Sequence, residues 1–307
     1  MPEFSIVIPA FNAAKTLPQT LDSIRRQTVT DWQAWIVDDG STDQTAEIAQ
    51  RAQQADPRFK ACVNTGKGPS DARNYGALTL ATGTFIAFCD ADDLWLPNKL
   101  ENVATALATT HADAMFGQIG FFQNSPTELS TVSTVPTGPV TIPMLLGENP
   151  VCTTSNLTIR RSVLQSLKGF DPQVIHNEDL ELLIRLVGHG FTLQGVNQRH
   201  VLYRTNVGGL SSDLRAMEMG RQRAVATAAR FGFAPNAAAE AVHLRYLARR
   251  ALRLNVEPKL ALRLTHQGLS LDAHAFLSPP RRGLATAAAA LLAPLLPTAL
   301  RRALFAQ

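Results

Sequence analysis

The chain has 307 residues, 45% hydrophobic and 18% charged, enough for a buried core in one large domain or a domain with an extension, so disorder is not its default state. Its formal charge of +4 conceals an asymmetry: from residue 211 onward thirteen Arg and one Lys face five acids, a surplus of nine positive charges, which leaves five net negative charges on the remainder. The widely spaced Cys62, Cys89 and Cys152 form no CxxC pair, which argues against a disulfide or zinc framework and favours reduced thiols in a cytoplasmic setting.

Met1-Pro2-Glu3-Phe4 enters a strand directly, without the basic and apolar stretches of a secretory signal. Ser5 to Ile8 reads as a short buried strand stopped by Pro9, and Leu17, Leu21 and Ile24 follow at helical spacing. A second strand, Ala34 to Val37, leads through Gly40 to Ser41-Thr42-Asp43-Gln44, which fits a capping box for a helix running through Ile48. A third unit starts near Cys62-Val63, passes Gly66-Lys67-Gly68 and enters a helix from about Ser70 to Leu80, before a strand at Phe85. Strands alternating with helices predict an α/β fold with a doubly wound, mainly parallel sheet.

Two of these strands empty into acids: Asp38-Asp39 after the second, and Asp90, Asp92 and Asp93 after Phe85-Ile86-Ala87-Phe88-Cys89. Open α/β sheets bind ligands at the carboxyl ends of their strands, so two acidic endings point to a nucleotide pocket. Three bare carboxylates this close repel strongly without a cation, which suggests a metal site; the alternative is that they cap the helix near Pro97.

Residues 123–150, rich in Ser, Thr, Pro and Gly, read as a loop or edge hairpin. A helix from about Glu178 carries Leu180, Leu183, Ile184 and Val187 on one face, placing Glu178 and Asp179 in its first turn, where their carboxylates can point into a cleft. Beyond residue 211 the pattern is helical, with Leu244, Leu247, Ala248 and Ala251 in one stripe and Arg245, Arg249, Arg250 and Arg253 on other faces. Residues 283–300 are almost wholly apolar, interrupted by Pro294 and Pro297 and bracketed by Arg281-Arg282 and Arg301-Arg302. This reads as an interfacial or re-entrant helix in preference to a membrane crossing, the alternative being a helical subdomain packed on the rest of the chain or on a dimer partner.

Taken in order, Ser5-Ile6-Val7-Ile8-Pro9-Ala10-Phe11-Asn12, Val37-Asp38-Asp39-Gly40-Ser41-Thr42-Asp43, Ala72-Arg73-Asn74 with Gly76, Asp90-Ala91-Asp92-Asp93, and Asn177-Glu178-Asp179 with Arg185 resemble glycosyltransferase family 2, the inverting enzymes of GT-A fold. The resemblance covers roughly residues 5–211 and implies a GT-A domain over 1–210, with a Rossmann-like nucleotide-sugar half (1–122) and an acceptor half (123–210), followed by an Arg-rich helical extension (211–307). It implies a nucleotide base stacked near Pro9, Ala10 and Phe11 and read by Asp39, whose carboxylate suits a uracil-type N–H and so favours a UDP-sugar. Arg73 is implied to touch the base or diphosphate. Of the Asp90–Asp92 pair, one carboxylate reaches the ribose while Asp92 binds Mg2+ or Mn2+, and Asp93 supports the ion or caps a helix. The same likeness makes Asp179 the general base, kept ionised by its helix N-terminus, with Glu178 opposing that effect or binding the acceptor.

Tyr203-Arg204 and Gly208-Gly209-Leu210-Ser211 resemble the segment that closes over the donor diphosphate, with Asn206 where a histidine is frequent; His176 and His200 are not promoted in its place. Ser155-Asn156 lies on the acceptor side by resemblance, and Trp95 either stacks on a sugar or packs the core. The expected reaction is metal-dependent, inverting transfer to a glycan or lipid-linked acceptor in polysaccharide or cell-envelope synthesis. The expected location is cytoplasmic and peripheral on the inner face of the cell membrane, with anionic lipid contacted through the extension. Little aromatic interleaving in the basic tail argues against specific nucleic-acid binding. A sugar-phosphate nucleotidyltransferase and a non-catalytic nucleotide-sugar or glycan binder are the competing readings; Pro9-Ala10-Phe11-Asn12-Ala13 lacks the Gly-rich loop of the first, and the retained Asp90, Asp92 and Asp179 argue against the second.

Overall fold

The computed structural model describes residues 2–205 and 213–305. They divide into two compact units, Met1–Val140 with Pro150–Thr205, and Thr141–Asn149 with Asn206–Gln307.

The first unit is built on a mixed sheet whose strands run β1 (Phe4–Ala10), β2 (Trp32–Asp38), β3 (Phe59–Val63), β4 (Phe85–Phe88), β5 (Leu94–Trp95), β6 (Ala114–Phe122), β7 (Thr131–Val132), β8 (Thr158–Arg160) and β9 (Leu193–Arg204). Their spatial order is β3-β2-β1-β4-β8-β6-β9-β5, with β7 paired to β6. The first four strands are parallel, β8 runs antiparallel between β4 and β6, and β9 is parallel to β6. The chain winds outward from β1 through β2 to β3 and returns to β4 on the other side of β1. That reversal opens a crevice at the carboxyl ends of β1 and β4, where such sheets take ligands.

Both faces of the parallel part are covered, which is why β1 is apolar almost throughout. Phe4, Ile6 and Ile8 pack with Leu17, Leu21 and Ile24 of helix α1 (Leu17–Arg25) and with Ala49 and Ala52 of α2 (Thr45–Ala55). Val7 and Val37 face the opposite layer, where α3 (Pro69–Asn74) continues as a π-helical segment, Tyr75–Leu80. A Cβ at Gly76 would lie 2.5 Å from Val7 Cγ1, so only glycine lets this wide turn sit against the sheet. The layers are completed by α4 (Lys99–Thr110), α6 (Arg161–Ser166) and α7 (Glu178–Gly188), while α5 (Ile142–Gly147) belongs to the second unit.

Three local expectations are corrected. Pro9 does not stop β1, which continues to Ala10. The Val7 carbonyl accepts from Cys89 N, so position 9 faces the same side of β1 beyond the last β4 residue, where proline forfeits no ladder bond. The capping box at Ser41 does not form, because the Ser41 hydroxyl donates to Asp38 Oδ1 at 2.5 Å and accepts from Asn12 N; Asp43 instead accepts from Thr45 N at the start of α2. Residues 123–150 are not loop and hairpin alone: β7 forms the hairpin, but α5 is helical, with Ile142, Leu145 and Leu146 buried.

The second unit continues with α8 (Leu214–Arg230), α9 (Ala237–Arg253), α10 (Pro258–Leu277, broken at Asp272), α11 (Pro280–Leu292), a 3-10 turn at Ala293–Leu295 and α12 (Thr298–Phe305). Asp213 and Asn236 cap α8 and α9 by accepting from backbone N–H groups. Ala251, Leu252, Ala261, Ala290 and Ala293 form its small core. Arg245, expected on a face other than the Leu244 to Ala251 stripe, is buried, its guanidinium donating to the carbonyls of Ala275, Phe276 and Ser278 at the end of α10.

Candidate active site

The acidic strand endings gather where the topology predicts. β1 and β2 are in register from Phe4↔Trp32 to Ala10↔Asp38, so Phe11 and Asp39 leave the sheet side by side. Phe11 is 61% exposed, an aromatic face presented to solvent at the mouth of the crevice. Asn12, in a left-handed conformation that asparagine tolerates, accepts from Thr42 N and ties the two strand ends together. Asp39 is held between Asn64, whose side-chain amide donates to it at 2.6 Å, and the backbone N–H of Gly68. Its expected partner was a base edge; the residues already bonded to it fix its orientation, with Oδ1 accepting from both Asn64 and Gly68 and Oδ2 from Gly68 alone, so Oδ2 is the oxygen with room for a further donor.

After β4, Asp93 N donates to Asp90 O, closing a turn through Ala91 and Asp92. The extended conformation expected from Asp90 to Asp92 therefore does not persist, and their proximity comes from the turn. None of the three acids caps α4, whose N-cap is Asn98. Asp93 is completely buried: one oxygen accepts from Arg204 N, and desolvation with the charges of Asp92 and Asp90 pushes its carboxyl well above the usual range. It is thus a fastening inside the turn, neither a helix cap nor an outward ligand.

Asp90 is gripped from three directions. Its backbone N–H donates to Ser155 Oγ, Thr153 Oγ1 donates to its Oδ2 at 3.3 Å, and Arg73 Nη2 donates to its Oδ1 at 2.7 Å. The other Arg73 amino group donates to Glu178 Oε1 at 2.9 Å. Arg73 is 5% exposed, and both of its amino groups are already engaged by protein carboxylates. Asn74 adds a second stitch, donating to Phe170 O and accepting from Phe170 N. Consecutive side chains of α3 thereby bind the donor-side turn and the segment leading to α7.

The start of α7 is shaped by Asn177, left-handed at φ +58°, which turns the chain so that Glu178 and Asp179 open the helix. Glu178, expected to oppose the helix N-terminus or to bind the acceptor, has its Oε1 paired with Arg73. Asp179 accepts from Leu180 N, and desolvation followed by the Glu178 charge pushes its carboxyl up to about 7. The helix N-terminus is opposed, as expected of Glu178, and burial adds to that opposition: together they raise the carboxyl more than its backbone bond and the Arg73 charge lower it. A carboxyl poised there is matched to taking a proton near neutral pH.

Trp95 is corrected outright. It is 3% exposed, donates from Nε1 to Ser155 O, and lies under the buried Lys99 ammonium at 3.8 Å, so it packs the core and meets no sugar. Ser155 and Asn156 are likewise buried, Asn156 bonding the Gly117 backbone in both directions, and serve structure and not the acceptor. His200 is buried, and desolvation lowers its imidazole to about 3, which keeps it neutral inside the fold. Arg204 Nε donates to Asp92 O and its Nη2 to Gln19, bracing the acidic turn from above. Asn206 and Gly208 to Ser211 lie outside the described residues.

Among the described residues no three His, Cys, Asp or Glu side chains converge on a common point. The turn nevertheless suits a hard divalent cation: it concentrates carboxylate oxygen at a strand end, and Mg2+ or Mn2+ needs only one or two protein carboxylates when phosphates and water complete the shell. Residues that sequence reasoning missed are Thr153 and Asn64, whose contacts are made across the fold.

The family model described as Glycosyl transferase family 2 matches residues 5–168, more than half of the chain. The chain belongs to glycosyltransferase family 2. It is 35% identical over 122 residues to the UDP-Glc:alpha-D-GlcNAc-diphosphoundecaprenol beta-1,3-glucosyltransferase WfgD of Escherichia coli, covering 39% of this chain and 47% of that protein. Among solved structures it resembles S. aureus TarS 1–349 in complex with UDP-GlcNAc, with TM-score 0.61, 18% identity and coverage of 98% and 87% of the two chains. It also resembles the mannosyltransferase PcManGT of Pyrobaculum calidifontis in complex with GDP-Man and Mn2+, with TM-score 0.53, 20% identity and coverage of 98% and 79%. At these identities the structural likenesses establish the GT-A-like fold alone. The family 2 chain spans about half the length of the curated relatives it matches first.

Proposed function

We propose that this protein is an inverting glycosyltransferase that moves a sugar from a nucleotide-sugar, most simply a UDP-sugar, to a glycan or lipid-linked acceptor. The observation that carries this reading is the double ion pair of Arg73, which joins Asp90 on the donor side to Glu178 beside Asp179 and so makes one site of two distant acidic segments. Phe11 and Asp39 hold the base, Asp90 meets the ribose, and Asp92 would hold Mg2+ or Mn2+. The bound ion would supply positive charge against the phosphates of the leaving group.

In the reaction the acceptor hydroxyl attacks the anomeric carbon from the face opposite the diphosphate. The new C–O bond forms as the bond to the diphosphate oxygen breaks, and the hydroxyl proton passes to Asp179. One displacement inverts the anomeric centre. The donor and acceptor classes are those in the name of the E. coli relative, a UDP-sugar and a diphosphate-linked lipid. A donor screen tests the assignment: with an acceptor glycan carried on a lipid diphosphate, one UDP-sugar is expected to release UDP in the presence of Mn2+ or Mg2+ and not in excess chelator. Donor binding without turnover across the whole screen would instead fit a binding module, and pyrophosphate release from a nucleoside triphosphate with a sugar phosphate would fit a nucleotidyltransferase.

A lipid-linked acceptor supports a membrane-surface location, and the second unit has a face suited to it. Among the described residues no helix is long and apolar enough to cross a membrane. Along α11 and the turn after it, however, Leu284, Leu291, Leu292 and Leu295 are 57%, 61%, 51% and 79% exposed, with the exposed Arg281 at the start of the same face. Leucines that enter the headgroup boundary beside a cation favour an anionic bilayer. Each buried leucine contributes at least about 1.5 kcal/mol, so Leu291→Ser with Leu295→Ser is expected to weaken partitioning into phosphatidylglycerol vesicles about 100-fold in a sedimentation assay. Unchanged sedimentation, or a lipid-free dimer that the same substitutions dissolve, would reject the membrane reading.

A further inference from the structure

The second unit also holds a concentration of cations that neither the catalytic site nor the leucine face uses. Arg245, Arg249 and Arg253 stand at four-residue intervals along α9, so their side chains line one stripe of the helix. Arg282, from the first turn of α11, joins them. One carboxylate, Glu148, lies between these guanidinium groups: it accepts from Arg245 Nη2 at 3.2 Å and from Arg282 Nη1 at 3.1 Å. Those two contacts satisfy Glu148 and leave a surplus of positive charge around it.

Arg249 and Arg253 complete the stripe and are only partly exposed. Their side chains make no hydrogen bond or ion pair among the described residues, and Arg253 and Arg282 both act on Arg249 as like charges. Burial and this crowding lower the Arg249 guanidinium to about 10, a direction opposite to that of an arginine supplied with a counter-ion. Like charges at four-residue spacing destabilise a helix, and half-buried cations without acceptors cost more. Such a stripe is tolerable when a ligand provides the missing oxygens, and planar guanidinium forks match phosphate oxygens in pairs.

We propose that Arg249 and Arg253, backed by Arg245, Arg282 and Glu148, form an anion site for a phosphate-bearing ligand, separate from the donor site of the first unit. The shared chemistry is a phosphate or diphosphate group, supplied either by a lipid headgroup or by a soluble phosphate ester.

Inorganic pyrophosphate is the probe, added to the full-length protein with the donor site already saturated by UDP. It is expected to raise the melting temperature of the wild type by about 3 °C or more. Arg249→Gln with Arg253→Gln is expected to weaken pyrophosphate binding about 100-fold, as two charge-assisted contacts are lost, and to remove that rise. Without ligand the double variant should melt no lower than wild type, because the substitutions relieve repulsion; a failure to fold would contradict the account. Vesicles distinguish the sources: loss of sedimentation with phosphatidylglycerol but not phosphatidylcholine vesicles in the double variant identifies a headgroup, while a pyrophosphate effect with unchanged sedimentation identifies a soluble ester. A wild type without the melting rise, or a rise that persists in the double variant, overturns the proposal.

Discussion

Asp179→Asn is expected to slow transfer by about 10²–10⁴-fold while donor affinity, measured by calorimetry with a UDP-sugar, stays within about twofold of wild type. The amide keeps the shape of the side chain and its contact with Leu180 N but cannot take the acceptor proton. Because the Asp179 carboxyl sits at about 7, the wild-type rate should climb with pH up to that value and level off above it, since only the ionised form is a base. Stability runs the other way. A carboxyl raised in the folded state above its ordinary 3.8 holds its proton more tightly folded than unfolded, so its contribution falls as pH rises from about 4 to about 7. Asparagine has no such titration: Asp179→Asn should melt above wild type at about pH 8 and coincide with it below about pH 4. Lost donor binding, or a flat pH–rate profile, would assign the residue another role.

Arg73→Ala is expected to cost about 3–5 kcal/mol in urea denaturation and to abolish turnover, because it leaves the Asp90 and Glu178 carboxylates facing one another without their shared cation. The side chain is nearly inaccessible, so water cannot replace it cheaply. Arg73→Lys should recover only part of the loss, since one ammonium cannot span two carboxylates with the planar fork that bonds them at 2.7 and 2.9 Å. Removing this cation also takes away a charge that holds the Asp179 carboxyl down, so any residual activity should shift to higher pH. A loss below about 1 kcal/mol, the range of an exposed pair, would mean that the bridge does not form in solution.

These two residues mark how far the sequence could be read. Arg73 and Asp179 stand in short motifs whose order along the chain was legible, and family membership follows from that order. Their environments were not. Nothing near Asp179 in sequence announces that desolvation defeats the helix N-terminus, because desolvation depends on what the rest of the fold lays over the carboxyl. Glu178 read as opposing the helix N-terminus or binding the acceptor, with nothing to announce Arg73 as its partner, and Trp95 read equally as platform or core until Ser155 and Lys99 closed around it. The turn from Asp90 to Asp93 escaped an alternation argument because that argument assumes the strand continues, whereas the chain bends as soon as β4 ends. Arg245 shows the same limit in a helix: it lies off the apolar stripe, yet backbone carbonyls at a neighbouring helix end hold it inside.

The sequence by itself determined the alternation of strand and helix, the acids at the ends of β2 and β4, and the uneven division of charge between the two parts of the chain, because periodicity and composition are local properties. Tertiary structure alone decided which carboxyl is raised toward neutral pH, which are paired with an arginine and which is buried as a fastening. Those outcomes depend on solvent exclusion and on Coulomb partners from remote segments, and distance through space is not written in distance along the chain.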